Sequence, residues 1–186
     1  MRAYLLLLLA APIFLKGGVI AAGSADVAVG SDFEIPVTIS SAADLYAFQF
    51  DLSFDPSVLQ LQSIVEGSFL PSAGPTFFIP GTIDNVDGTA TFNADTIVGV
   101  IPGAAGSGTL ATFNFEATGN GTSALALSNI VLLDSSLDDI SFSAAGGAVE
   151  VGSAVPEPRL GLLMPLGVIL LALTLRPLSR HRLSKE

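Results

Sequence analysis

The sequence predicts an all-β fold: an antiparallel β-sandwich of jelly-roll type with about eight or nine strands. An N-terminal signal helix and a C-terminal transmembrane helix are expected to flank it. Three observations carry this expectation. Apolar and polar residues alternate in repeated short runs across residues 26–152, the signature of strands with one buried and one wet face. Turn-forming pairs separate those runs, among them Asp55-Pro56, Gly74-Pro75, Pro80-Gly81, Asp87-Gly88 and Pro102-Gly103. The two continuous apolar stretches lie at the ends of the chain, next to all 7 of its Lys and Arg residues.

Taken in order, the 186-residue chain divides into 1–25, 26–152 and 153–186. Arg2, an apolar stretch from Ala3 to Leu15 and small residues over Ala21 to Ala25 have the layout of a secretory signal, cut between Ala22 and Ala25. Next, "DFEIPVTIS" places Phe33, Ile35, Val37 and Ile39 on one face, with Asp32, Glu34 and Thr38 on the other. "YAFQFDLSFD" sets Tyr46, Phe48, Phe50, Leu52 and Phe54 against Gln49, Asp51, Ser53 and Asp55. "TATFNAD" is expected to turn Ala90, Phe92 and Ala94 inward, and "ATFNFEA" to bury Ala111, Phe113, Phe115 and Ala117. Leu125 with Leu127, and Val149 with Val151, complete the series. No part of the centre sustains a helical period.

Charge narrows the function classes. Between Gly17 and Pro158 there is no Lys or Arg, while Asp and Glu recur throughout. Nucleic acid is excluded as a partner, because its phosphates need basic residues to displace their counterions. There is no Cys, which removes disulfides, thiolate nucleophiles and thiolate metal sites. The one His, His181, stands in the tail, so no Ser-His-Asp triad can form around it in the central domain. The chain is therefore expected to bind rather than to catalyse. Calcium is the one ion the sequence suggests, with Asp84 and Asp87 in "DNVDG" and Asp134 and Asp138 in "DSSLDD" as oxygen donors. Asp87-Gly88 is equally a hairpin signal. Phe77 and Phe78 are adjacent aromatics, available either to a sugar ring or as a plug for the sandwich end.

At the C-terminus, Leu160 to Leu175 would reach about 24 Å as a helix, a little short of a ~30 Å hydrocarbon core. Arg176, Arg180 and Arg182 follow it and mark the cytoplasmic side. Val155-Pro156-Glu157-Pro158, then this run, then Arg176, closely resembles the PEP-CTERM sorting signal of Gram-negative bacteria. The resemblance implies handling by an exosortase-like enzyme, at least transient membrane anchoring, and a final place on the cell surface or in the extracellular polysaccharide matrix. The two prolines keep the junction extended and free of helix hydrogen bonds.

The central region resembles a second family. Phe54-Asp55-Pro56-Ser57-Val58-Leu59 is similar to the aromatic-Asp-Pro-x-x-Leu turn that ends the third strand of cohesin domains. "VGSDFEIPVTIS" and "GSGTLATFNFEA" resemble a preceding and a later cohesin strand. The likeness implies a nine-stranded jelly roll related to carbohydrate-binding modules, whose relatives dock calcium-loaded dockerins. It places a partner-binding face at Gln49, Asp51, Ser53 and Asp55, with a dockerin-like protein or an extracellular polysaccharide as partner. Two departures stand out. Ala47 and Gln49 occupy positions where many dockerin-binding cohesins carry Asn and Asp, and few mature residues remain for the family's first strand upstream of Val29.

Overall fold

The computed structural model describes residues 18–152. They form twelve strands and one short 3-10 turn (Leu70–Ser72), with no α-helix among the described residues. The strands are β1 (Gly18–Ala22), β2 (Ala25–Ala28), β3 (Asp32–Leu45), β4 (Ala47–Ser53), β5 (Leu59–Glu66) and β6 (Thr76–Ile79). They continue as β7 (Thr82–Asp84), β8 (Thr89–Ile97), β9 (Ala104–Ala117), β10 (Gly121–Leu133), β11 (Phe142–Ala145) and β12 (Gly147–Gly152). One sheet has the order β11-β1-β3-β9-β5; the other has β2-β12-β10-β4-β8-β6, with β7 also on β8. The number exceeds eight or nine because three runs are kinked rather than ended. β1 continues into β2, β6 into β7 and β11 into β12, so the chain makes nine runs in all. No helix among the described residues is long and apolar enough to cross a membrane. The sorting motif, the apolar run after it and residues 1–17 lie outside the described residues.

The N-terminal boundary differs from the expected one. Gly18–Ala22, assigned above to the export signal, is a strand inside the first sheet, paired antiparallel with β3 and parallel with β11. Ile20 is fully buried there. A short apolar segment ending in small residues reads equally as the tail of a leader or as a strand, and only its pairing partners separate the two. Among the described residues the sandwich includes Gly18 onward, so β1 and β2 supply strand residues upstream of Val29, where few were expected. The sandwich is also not wholly antiparallel, since β2 runs parallel to β12 as β1 does to β11. These two terminal runs travel side by side and change sheets together. At the crossing the backbones nearly touch: a Cβ on Gly147 would stand 1.8 Å from the Gly23 carbonyl oxygen. Only glycine fits at that point.

The core is filled from both sheets, as the alternation of β3, β4 and β9 demands. Phe50 of β4 lies 6.0 Å from Phe113 of β9 between ring centroids, and Phe54 meets Phe115 edge-on at 5.2 Å. Burying such a ring contributes about 1.5–3 kcal/mol, which a disulfide-free domain needs. One strand departs from its expected pattern. Ala90 is buried, but Phe92 is 51% exposed, and Asn93 and Asp95 turn inward in place of Phe92 and Ala94. The cause is a β-bulge. β4 advances two residues from Phe50 to Leu52 while β8 spends three from Asn93 back to Ala90, so the strand's faces exchange at Phe92.

The buried pairing of β1 makes a test simple. A chain of residues 18–152 is expected to unfold in a single urea transition. One of residues 26–152, stripped of β1, is expected to lose that cooperative transition and its β-sheet circular dichroism.

Candidate protein-binding face

Strand register fixes what the outward face of the β10-β4-β8-β6 sheet presents. One row runs Leu133, Ala47, Thr96, Phe77, and the next runs Val131, Gln49, Ala94, Ile79. Ala47, Gln49, Ala94 and Thr96 thus form a floor of mostly short side chains on the central strands. Phe77 (62% exposed) and Ile79 rise on one side, Val131 and Leu133 on the other. Together they line an open, largely apolar groove of about 220 Å³. Phe77 and Phe78, offered above to a sugar ring or as a plug for the sandwich end, lie on β6: Phe77 is the exposed wall, and Phe78 points back to the core.

Asp51 occupies the row below. Both flanking strands are bulged beside it: β8 at Phe92 (φ 59°) and β10 at Asn129 (φ 49°), with one extra residue between Ser128 and Val131. One oxygen of Asp51 accepts the Phe92 backbone N–H at 2.7 Å, and the other accepts the Asn129 side-chain amide at 2.6 Å. A phenylalanine in the left-handed region is unfavourable by about 1–2 kcal/mol, and these charge-assisted bonds offset it. Asn93 holds the bulge from inside, donating to the carbonyls of Phe50 (3.1 Å) and Ala90 (2.8 Å).

The expected binding residues therefore separate by role. Gln49 lies in the groove floor. Asp51 is committed to its neighbours. Ser53 stands outward near the Ala126 carbonyl at 3.5 Å. Asp55 leaves the strand and builds the turn: its carboxylate accepts the Ser57 hydroxyl (2.6 Å) and the Ser57 N–H (2.9 Å), which hold its pKa below the ordinary carboxyl value. Its own N–H is held by the buried Ser123 hydroxyl at 2.8 Å.

The candidate calcium ligands are likewise drawn into turns. Asp84 accepts the backbone N–H groups of Val86 and Asp87, and the Asp87 bond foremost lowers its pKa. Asp134 caps the N–H groups of Ser136 and Asp138. Asp87 and Asp138 enter these turns through their backbone amides. Among the described residues no group of three or more Asp, Glu, His or Cys side chains is arranged to hold a metal ion.

Sequence reasoning missed three things. The groove walls on β6 and β10 were not visible as one surface, because only register brings Phe77 and Val131 across from each other. Asp44 was not singled out. It accepts the Ser135 hydroxyl (2.6 Å) and the Gly103 N–H (2.5 Å), tying two loops to the end of β3. The Ser135 bond chiefly lowers its pKa, against the effect of burial. Asp95, opposite Ala94 in the expected alternation of "TATFNAD", is 2% exposed and turned into the core.

Comparison with known proteins places this architecture. A sequence-family profile described as Cohesin domain matches residues 18–151. Cellulose-binding protein A of Clostridium cellulovorans is 26% identical over a match that spans 72% of this chain and 7% of that protein's length. Several solved structures share the fold. The non-cellulosomal cohesin of the hyperthermophilic archaeon Archaeoglobus fulgidus superposes with a TM-score of 0.61 at 22% identity, over 75% of this chain and 94% of its own. The third ScaC cohesin of Acetivibrio cellulolyticus, solved with the ScaB dockerin, gives 0.60 at 21% identity over 72% and 98%. A Coh-OlpC–Doc435 complex from Clostridium thermocellum gives 0.62 at 14% identity over 74% and 95%.

Removing the Asp51 carboxylate should leave the fold intact but loosen both bulges. Asp51→Ala is expected to lower stability by roughly 1.5–3 kcal/mol in urea denaturation, with the β8 and β10 amides nearest the bulges losing most protection from hydrogen exchange.

Proposed function

The chain belongs to the cohesin-domain family, and we propose that it is an exported, non-catalytic module that docks a dockerin-like protein in the groove of the β10-β4-β8-β6 sheet. The groove itself carries this reading. A floor of short side chains between Phe77 and Val131 accepts an apolar ridge, such as a helix face carrying aliphatic side chains. Below it the surface turns polar and acidic, through Ser53, Asp55 and Asp84. With no Lys or Arg anywhere in residues 18–152, the domain favours a partner that brings basic groups to the rim. Ala47 and Gln49, where many relatives carry Asn and Asp, make the upper half of the contact more apolar than a charged strand would. Specificity therefore shifts toward shape and burial.

The ends of the chain support export. The leader-like N-terminus and the Val155-Pro156-Glu157-Pro158 motif, apolar run and Arg176 fit delivery across a membrane and handling there by an exosortase-like enzyme, with the module left at the cell surface or in the matrix. Because β1 is integral to the sheet, removal of a leader is compatible with the fold when the cut falls upstream of Gly18. Extracellular polysaccharide as the ligand has weaker support. Sugar recognition favours broad aromatic platforms, and the domain has no Trp, while Tyr46 donates its hydroxyl hydrogen to Gly99 at the sandwich end.

Filling the groove floor tests the docking reading. Ala94→Arg places a long side chain between Phe77 and Val131 and is expected to leave the unfolding transition unchanged. It should weaken binding to a dockerin-type protein encoded in the same genome by at least about tenfold, or about 1.4 kcal/mol, in calorimetric titration. Equal binding by the wild type and this variant would move the interface elsewhere.

A further inference from the structure

Asp95 is a buried carboxyl in a domain that offers it no base. It is 2% exposed, and the polar groups that reach it are the Thr96 backbone amide and the Glu66 carboxyl. Across the sheet its neighbours are Phe48 of β4 and Phe78 of β6, both apolar. The 3-10 turn at Leu70–Ser72, which packs against β8, contributes no titratable side chain. The ionisable group that faces it is Glu66, at the end of β5, close enough to share a hydrogen bond. Glu66 in turn accepts the hydroxyl hydrogen of Thr76, the first residue of β6. A buried carboxyl beside a second, half-buried one cannot be charged along with it without strong repulsion; one proton between them relieves it.

We propose that the Asp95–Glu66 carboxyl pair is a proton-operated latch on β6, and so on the groove wall formed by Phe77 and Ile79. β6 is suited to this. It is four residues long, it stands at the edge of its sheet, and β8 is the one strand it pairs with. Its start is fastened through Thr76 to the same Glu66. With the shared proton in place the pair is a hydrogen bond that ties β5, β8 and β6 together. Without it, β6 is held beside two like charges, and lifting the strand lets water reach them.

The direction of the pH effect follows. In the closed domain burial first, and the charge of Glu66 second, raise the Asp95 pKa from 3.8 to about 7. With β6 lifted, the group returns toward its ordinary value. Between those values the closed form holds a proton that the open form has lost, so closure is strongest in mild acid and weakens as pH rises through about 7. If the groove docks a partner as proposed, binding is tightest at acidic pH and slackens as pH rises toward neutrality. That consequence rests on the docking reading; the latch itself does not.

The test needs no partner. Amide protection factors for Phe77, Phe78 and Ile79 would be measured by hydrogen exchange from about pH 5 to about pH 8, in EDTA, for the wild type and Asp95→Asn. Wild-type protection is expected to fall at least about tenfold over that range, and the variant to change less than about twofold. A carbon-13 titration of the wild-type Asp95 carboxyl provides a readout that does not depend on the variant folding. A midpoint below about pH 5, equal pH responses in both proteins, or calcium restoring β6 protection at about pH 8 would each overturn the latch. None of these outcomes would bear on Ala94→Arg, so the binding face stands or falls separately.

Discussion

One additional residue in β8 turns the second half of that strand over, and much of what distinguishes this domain depends on it. Upstream of Phe92 the strand follows the alternation of its sequence, with Ala90 in the core. Downstream, Ala94 and Thr96 face out and Asn93, Asp95 and Ile97 face in. The bulge is held from three directions: Asp51 grips the Phe92 N–H from outside, Asn93 braces the neighbouring carbonyls from inside, and Gly81 lets the β6–β7 kink pass close by. A Cβ on Gly81 would come within 2.6 Å of the Thr91 carbonyl oxygen and 2.7 Å of the Asn93 amide oxygen. The bulge is held by polar groups on β4 and β8, which is why it is stable with an aromatic residue at positive φ.

The same rotation has two consequences on opposite sides of the sheet. Outside, it brings an alanine beside Gln49, opening a floor between Phe77 and Val131 that a large side chain would close. Inside, it carries an aspartate past the layer of phenylalanines and sets it against Glu66. The groove and the buried carboxyl are thus two faces of one strand, and β6, hydrogen-bonded along its length to β8, belongs to both. The proposed docking groove and the proposed protonation site are joined by backbone register rather than by any direct contact between them.

Stability without disulfides is met by continuity. The long β3 and β9 strands pair along most of their length, and phenylalanines from β4 and β9 interlock across the sandwich. The two terminal runs change sheets side by side at Gly23 and Gly147 and stitch the sheets together at one flank. That stitching explains why the first strand matters more than its five residues suggest. It stands between β3 and β11, so its loss would expose Ile20's site and unpair a strand at the far end of the chain.

The sequence alone determined the all-β class, the inward apolar residues of β3, β4 and β9, and the polar outward edge of β4. Each follows from period-two alternation, which is a property of a single strand. The tertiary structure decided what depends on pairing. Gly18–Ala22 is a strand because β3 and β11 flank it, although its composition suits a leader equally well. Phe92 is outward because a partner strand is one residue shorter, and "TATFNAD" contains no sign of that. Asp51, Asp55, Asp84 and Asp134 serve turns and bulges because the donors they accept lie nearby in space or in a tight loop. Alternation tells which residues share a face of one strand; only register between strands tells which faces, walls and charges come together.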